Sequence, residues 1–188
     1  MVAAATVAFA TIAQAHPHGT VQCAVAVDFK DGQPHRLTGR LLFDQTHSTQ
    51  ALAVLRDPVT QKLDGAMQVR FLFGLRQQLA RWNWLFAAKS DGIAAELAEM
   101  QVPTLWWSSD GRLGVSVVMA VAMTVPVPAS AAWVFTCQDP TLYWVSEFLP
   151  PEAAITLTGC DQAVVSPAIK VATGPLAGTV RVEVRCMH

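Results

Sequence analysis

With 188 residues and a formal net charge of −1, the chain has the size of one ordinary domain and lacks the basic patch that nucleic-acid phosphates require. Apolar residues make up 52 % of it and charged residues only 14 %, enough for a large core with apolar surface left over for a partner or a membrane neighbour. Val2 to Ala13 is small, apolar and uncharged, and Ala13-Gln14-Ala15 has the small-x-small form of a secretory cleavage site. No Lys or Arg precedes Lys30, so the positive start of such a signal is missing, and a buried apolar element of a cytosolic protein is the competing reading. The triplet and the change of composition at His16 favour secretion, with a signal over 1–15 and a single mature domain over 16–188.

The first strand of that domain is expected over about Thr20 to Phe29, with Val21, Cys23, Val25, Val27 and Phe29 on one face. Asp31-Gly32-Gln33-Pro34 supplies turn chemistry, and a second strand over Arg36 to Phe43 completes a hairpin. Ser48 or Thr49 caps a helix that runs toward Arg56 and ends at Asp57-Pro58. A second helix is expected between about Gly65 and Arg81, where Met67, Phe71, Leu75 and Leu79 recur at four-residue spacing. Strands follow over Trp82 to Lys89, Met100 to Trp107, Arg112 to Val125 and Ala131 to Cys137, and shorter ones near Tyr143 to Phe148, Ala153 to Thr158 and Thr179 to Cys186. Ile93 to Glu99 stays ambiguous, because its residues favour a helix and its flanks a meander. The order predicts an α+β fold, a mainly antiparallel β-sheet with about two helices inserted after the first hairpin. No internal repeat or second-domain linker is visible.

Leu113 to Phe135 carries no charge and is long enough to span a bilayer. Its valines and methionines alternate from Val115 to Val125, the period of a strand, and Pro126 and Pro128 interrupt it. Two buried strands joined by a Val-Pro-Val-Pro turn are expected, with no transmembrane segment in the mature chain.

Cys23, Cys137, Cys160 and Cys186 form an even set with wide spacings and no zinc-ribbon pattern, so disulfides are the default in an oxidising compartment. Three pairings exist, and sequence does not choose among them beyond a preference for Cys160 with Cys186, both late in the chain. Cys23 and Cys137 also read as small buried residues.

The ordered motifs carry a resemblance. Ala15-His16-Pro17-His18, Leu42-Phe43-Asp44 closing the second strand, Gln138-Asp139-Pro140-Thr141-Leu142-Tyr143 with Glu147-Phe148 soon after, and Gly159-Cys160 together resemble the periplasmic proteins of domain of unknown function 1007, from His16 to about Pro167. The resemblance implies the periplasmic component of an uncharacterised transport system, found alongside nickel/cobalt-type permeases. It therefore implies a metal-handling accessory role beside a membrane metal permease. Family members commonly carry a calcium-like acidic loop between the helices. Here Asp57 to Gly65 offers only Asp57 and Asp64, far short of the six to eight oxygens calcium takes, so calcium is not carried over. His47 stands where the family usually has an aromatic.

His16, as a first residue, offers its amine and Nδ1 as one chelate, and His18 a further nitrogen, a donor set suited to Cu, Ni, Zn or Co. Pro17 has no amide proton to lose, which excludes the square-planar site built on deprotonated amides and leaves a brace. The competing reading is a solvated N-terminus. Asp44, His47 and Asp139 are candidates to complete the shell; His35 sits in a turn and is solvated; Cys186-Met187-His188 has soft-ligand character. Hydrolase, zincin and phosphate-loop motifs are absent, so the expectation is a binding protein and not an enzyme. A scaffold or solute-binding component without metal, and a copper enzyme built on the brace, are the alternatives.

Overall fold

A computed structural model describes residues 19–141, 144–149, 154–160, 162–170 and 180–187. The 1–15 signal, His16, His18 and His188 lie outside these residues.

The first two strands, β1 (Gly19–Lys30) and β2 (Gln33–Phe43), form the expected hairpin. Its loop is Asp31-Gly32 alone, both at positive φ (52° and 75°), the two-residue geometry whose twist matches that of the strands. Strand β2 therefore starts at Gln33, and exposed His35 belongs to a strand and not to a turn. Helix α1 (Gln45–Leu55) starts earlier than the serine and threonine suggest, because Asp44 is the cap: its carboxylate accepts the His47 N–H at 2.9 Å. Ser48 turns inward, donating to the Phe43 carbonyl at 3.3 Å and accepting the Leu113 N–H at 2.9 Å. Asp64 caps α2 (Gly65–Leu79), and Asp57 accepts the Val59 and Thr60 N–H groups, so both carboxylates of the calcium-like region hold local backbone.

A 3-10 turn over Ala80–Leu85 stands where a strand was expected to begin, and delays β3 to Phe86–Ser90. Asn83, Trp84 and Leu85 in that turn all have positive φ (49°, 54° and 71°). The ambiguous stretch resolves into β4 (Ile93–Ala94) and β5 (Glu96–Glu99), since β5 finds an open edge of β7 to pair with. β6 (Thr104–Trp107), β7 (Leu113–Ala122), β8 (Ala132–Cys137), β9 (Trp144–Phe148) and β10 (Ile155–Thr158) follow near their expected places. β11 (Gln162–Lys170) was not expected; Pro167 interrupts its pattern, and the ladder tolerates it at a register shift on an edge strand. β12 (Val180–Met187) completes the chain.

The strands make two sheets. In the first, β1, β2 and β7 run side by side, with β9 and β10 along the free edge of β1 and β6 and β5 along that of β7. The second has the order β11-β12-β8-β3-β4. The mainly antiparallel expectation holds, with two exceptions: β9 and β10 pair parallel to β1, because the chain reaches them only after crossing to the second sheet. The Val-Pro-Val-Pro turn makes one such crossing, so β7 and β8 belong to opposite sheets.

One core lies between the sheets. The predicted face of β1 is buried throughout and meets Trp133, Phe135 and Cys137 of β8 and Val182 and Val184 of β12. A side chain on Gly39 would collide with the Phe86 ring, which shows how closely β2 and β3 approach. The disulfide Cys23–Cys137 joins the sheets and Cys160–Cys186 ties the loop after β10 to β12, so all four cysteines are paired and the preferred late pairing is present. Among the described residues no helix is long and apolar enough to cross a membrane.

Candidate functional site

The site begins where β1 begins. The Thr20 N–H donates to Asp44 Oδ2 at 2.8 Å, and the Asp44 N–H donates to the Thr20 carbonyl at 3.1 Å, so the start of β1 is stitched to the head of α1. One turn into α1, His47 Nδ1 lies 3.0 Å from each oxygen of Asp44. These side chains are only 18 % and 26 % exposed. A ring that donates Nδ1–H to a carboxylate carries its lone pair on Nε2, the arrangement by which proteins orient a metal-binding imidazole. Burial pushes the Asp44 carboxyl up, but the N–H groups of His47 and Thr20 and the His47 ring outweigh it, leaving the carboxyl below its ordinary value.

Gly19 lies against this pair. A Cβ there would fall 2.5 Å from Asp44 Oδ2 and 2.6 Å from His47 Nδ1, so the chain enters the fold directly over the imidazole. Gly19 also pairs with Trp144, whose ring meets His47 edge-on at 6.1 Å and Phe43 at 5.3 Å. Trp144 is set by Asp139, 4 % exposed, which accepts its N–H at 2.9 Å. The other Asp139 oxygen takes the N–H and hydroxyl of Thr141 at 2.8 and 2.7 Å.

His47, Asp139, Thr141 and Trp144 line a cavity of about 480 Å³. Gln78, Leu79, Arg81 and Trp82, from the end of α2 and the 3-10 turn, line it as well. The Arg81 guanidinium sits 5.4 Å from the Trp82 ring, with no carboxylate in ion-pair range among the described residues. Beyond His47 and Trp144 a second, apolar groove of about 280 Å³ runs between the helices, over Phe43, Ala51, Phe71 and Leu75.

Three of the residues selected from sequence therefore come together: Asp44, His47 and Asp139. Both carboxylates already hold donors of their own surroundings, so Asp44 orients the imidazole and Asp139 shapes the Trp144 loop. Among the described residues no group of three His, Cys, Asp or Glu side chains is placed to hold a metal ion. The soft-ligand reading of the C-terminus is corrected: the Cys186 sulfur is bonded to Cys160 and has no thiolate to offer. Gln78, Arg81, Trp82, Thr141 and Trp144 were not selected from sequence. Arg81-Trp82 at the end of the α2 pattern and Trp144 after the Asp-Pro-Thr block read as ordinary helix-end and strand residues, so nothing local singles them out.

A disulfide-stapled α+β domain of two sheets, with a carboxylate-paired histidine lining a cavity, is the class that fold and site define. The chain belongs to the family described as protein of unknown function DUF1007, whose sequence profile matches residues 1–177. A comparison with curated proteins gives no match.

Proposed function

We propose that this protein is an exported periplasmic accessory protein that binds a divalent transition metal (Ni, Co, Zn or Cu) for a membrane transporter and catalyses no reaction of its own. The two disulfides support an oxidising compartment. The observation that carries the metal reading is the seat of Gly19 against the His47–Asp44 pair. His16 is three residues from Gly19, a chain length of at most about 11 Å, and that short tether is the support for enlisting His16 and His18 beside His47. The amine and ring of His16, the ring of His18 and the carboxylate-oriented ring of His47 supply nitrogens enough for a closed site.

Calorimetry of the chain 16–188 with Ni(II), Cu(II) and Zn(II) at neutral pH tests this. One ion per chain is expected, weakened at least tenfold by His47→Ala and equally by one extra residue before His16, with His35→Ala inert. Affinity unmoved by both changes, or no binding at all, overturns the proposal. A docking component without metal is the second reading, favoured by Val69 and Phe73 of α2, which are 69 % and 61 % exposed.

A further inference from the structure

Helix α2 carries more apolar side chains than the fold covers. Of its 15 residues only Leu79 is buried, although Met67, Val69, Phe71, Leu72, Phe73 and Leu75 precede it. Phe71 and Leu75 line the groove beside α1, while Val69 and Phe73, one turn apart, lie on the opposite face of the helix and are more than half exposed. The turn that joins the helices adds two more, with Val59 87 % and Leu63 43 % exposed. β2 leads into the start of α1 and the 3-10 turn leaves the end of α2, so residues 56–64 are the free end of the helical pair, closed by an antiparallel bridge between Arg56 and Leu63. Phe73 lies eight residues into α2, about 12 Å along its axis, which keeps the four exposed apolar side chains toward that free end.

Charge in this part of the chain is mainly of one sign. Residues 45–82 carry Arg56, Lys62, Arg70, Arg76 and Arg81 against Asp57 and Asp64 alone, in a chain with 13 Lys+Arg and 14 Asp+Glu, so the rest of the molecule is acidic. Arg76 pairs with Glu99 at 3.0 Å. Arg56, Lys62 and Arg70 are exposed and have no ion pair among the described residues. Both aspartates turn back onto backbone N–H groups of the turn and of α2. Exposed apolar side chains interspersed with unpaired cations suit a surface that is anionic at its rim and apolar beneath, as a leaflet of acidic phospholipid is. Apolar side chains enter the acyl boundary, and Lys and Arg stems reach back to the phosphates. A second copy of the chain fits worse, because a two-fold contact over this face brings two patches of the same sign together.

We infer that the α1–α2 pair is a membrane-docking arm, which rests on an anionic phospholipid surface through Val59, Val69 and Phe73, with Lys62 and Arg70 on the headgroups. This contact needs no bound metal, and it is peripheral: among the described residues no helix is long and apolar enough to cross a membrane.

Sedimentation of the chain 16–188, which holds every described element, with lipid vesicles in EDTA tests this. Vesicles of phosphatidylcholine containing about one third phosphatidylglycerol are expected to bind it about tenfold tighter than phosphatidylcholine alone, an advantage lost in about 0.5 M salt. Val69→Ser with Phe73→Ser, and separately Lys62→Glu with Arg70→Glu, should each weaken that binding about tenfold. Val164→Ser, at an exposed valine on β11, is the control that leaves it unchanged. All these positions are exposed, so thermal melts of the variants should match the parent. No preference for the anionic vesicles, or binding that both double variants leave intact, overturns the inference. So does a dimer, in place of vesicle binding, that Val69→Ser with Phe73→Ser dissociates, since a second copy then covers the face. Association with native membranes that trypsin treatment of those membranes abolishes, and that lipid vesicles do not reproduce, assigns the face to a membrane protein and overturns it as well.

Discussion

Gly19 and Asp44 decide how well His47 is aimed, and each does so by a different means. Gly19 acts by what it lacks. Gly19→Ala forces the imidazole or the carboxylate aside, so Nδ1 loses its acceptor and the ring samples both neutral tautomers. Nitrogen NMR of labelled histidine checks this: one tautomer in the parent, a mixture in Gly19→Ala. Asp44 acts by its charge. Its carboxyl is held below the ordinary value by His47 and Thr20, so it binds a proton more weakly folded than unfolded. The stability this supplies is present above the unfolded value of about 3.9 and is lost as pH falls through the lower folded value. Thermal melts should show this contribution constant from neutral pH down to about 5 and declining below 4, with a shallower decline in Asp44→Asn; equal slopes would refute it. The sequence makes His47 and Asp44 visible as candidates, but not their division of labour. Either can be a ligand or a turn residue at three-residue spacing, and only the Thr20 contact from another strand settles which oxygen is engaged. Arg81 was invisible for a similar reason, because a solvated helix end and a cavity wall read alike in one dimension.

At the scale of elements, the junction between α2 and β3 shows how packing overrides propensity. Three successive left-handed residues cost free energy that Trp84 and Leu85, 1 % and 3 % exposed, regain by burial. Glu99 locks the arrangement, accepting the Trp84 indole N–H at 3.1 Å and pairing with Arg76 at 3.0 Å. Asn83→Gly should therefore be neutral or stabilising by up to about 1 kcal/mol, whereas Trp84→Ala should cost about 3–5 kcal/mol in denaturant titrations. A strand running on from Trp82, as the apolar pattern suggests, would make Asn83→Gly destabilising instead. Most other elements were legible because burial imposed a period: β1 and β7 alternate along nearly their whole length, and Asp31-Gly32 marks its hairpin. What stayed hidden depended on distant partners. β5 is a strand because β7 offers an edge, β11 because β12 does, and nothing local in either segment states that.

For the whole molecule, the two disulfides fasten the fold across different lengths of chain, one between the sheets and one from a loop to β12. Cys23–Cys137 closes a separation of 114 residues and Cys160–Cys186 one of 26. Loop-closure entropy makes the longer link worth about 1 kcal/mol more, and the total burial of Cys23 and Cys137 adds to it. Replacing both partners of each pair by Ala in turn, with unfolding followed in guanidinium, should show the Cys23–Cys137 variant as the weaker; the opposite order would contradict this account. The parallel placement of β9 against β1 has a further consequence, in time. A chain is made from its N-terminus, so β1 emerges early, yet Gly19 finds its neighbour Trp144 only after most of the polypeptide has followed. Contacts so far apart in sequence form late. The cavity wall is thus among the last parts of the protein to exist, and a nascent chain carries His47 before the Trp144 side of its surroundings has been made. Until then the edge of its first strand stays open, which makes this the interval in which a holding chaperone matters most.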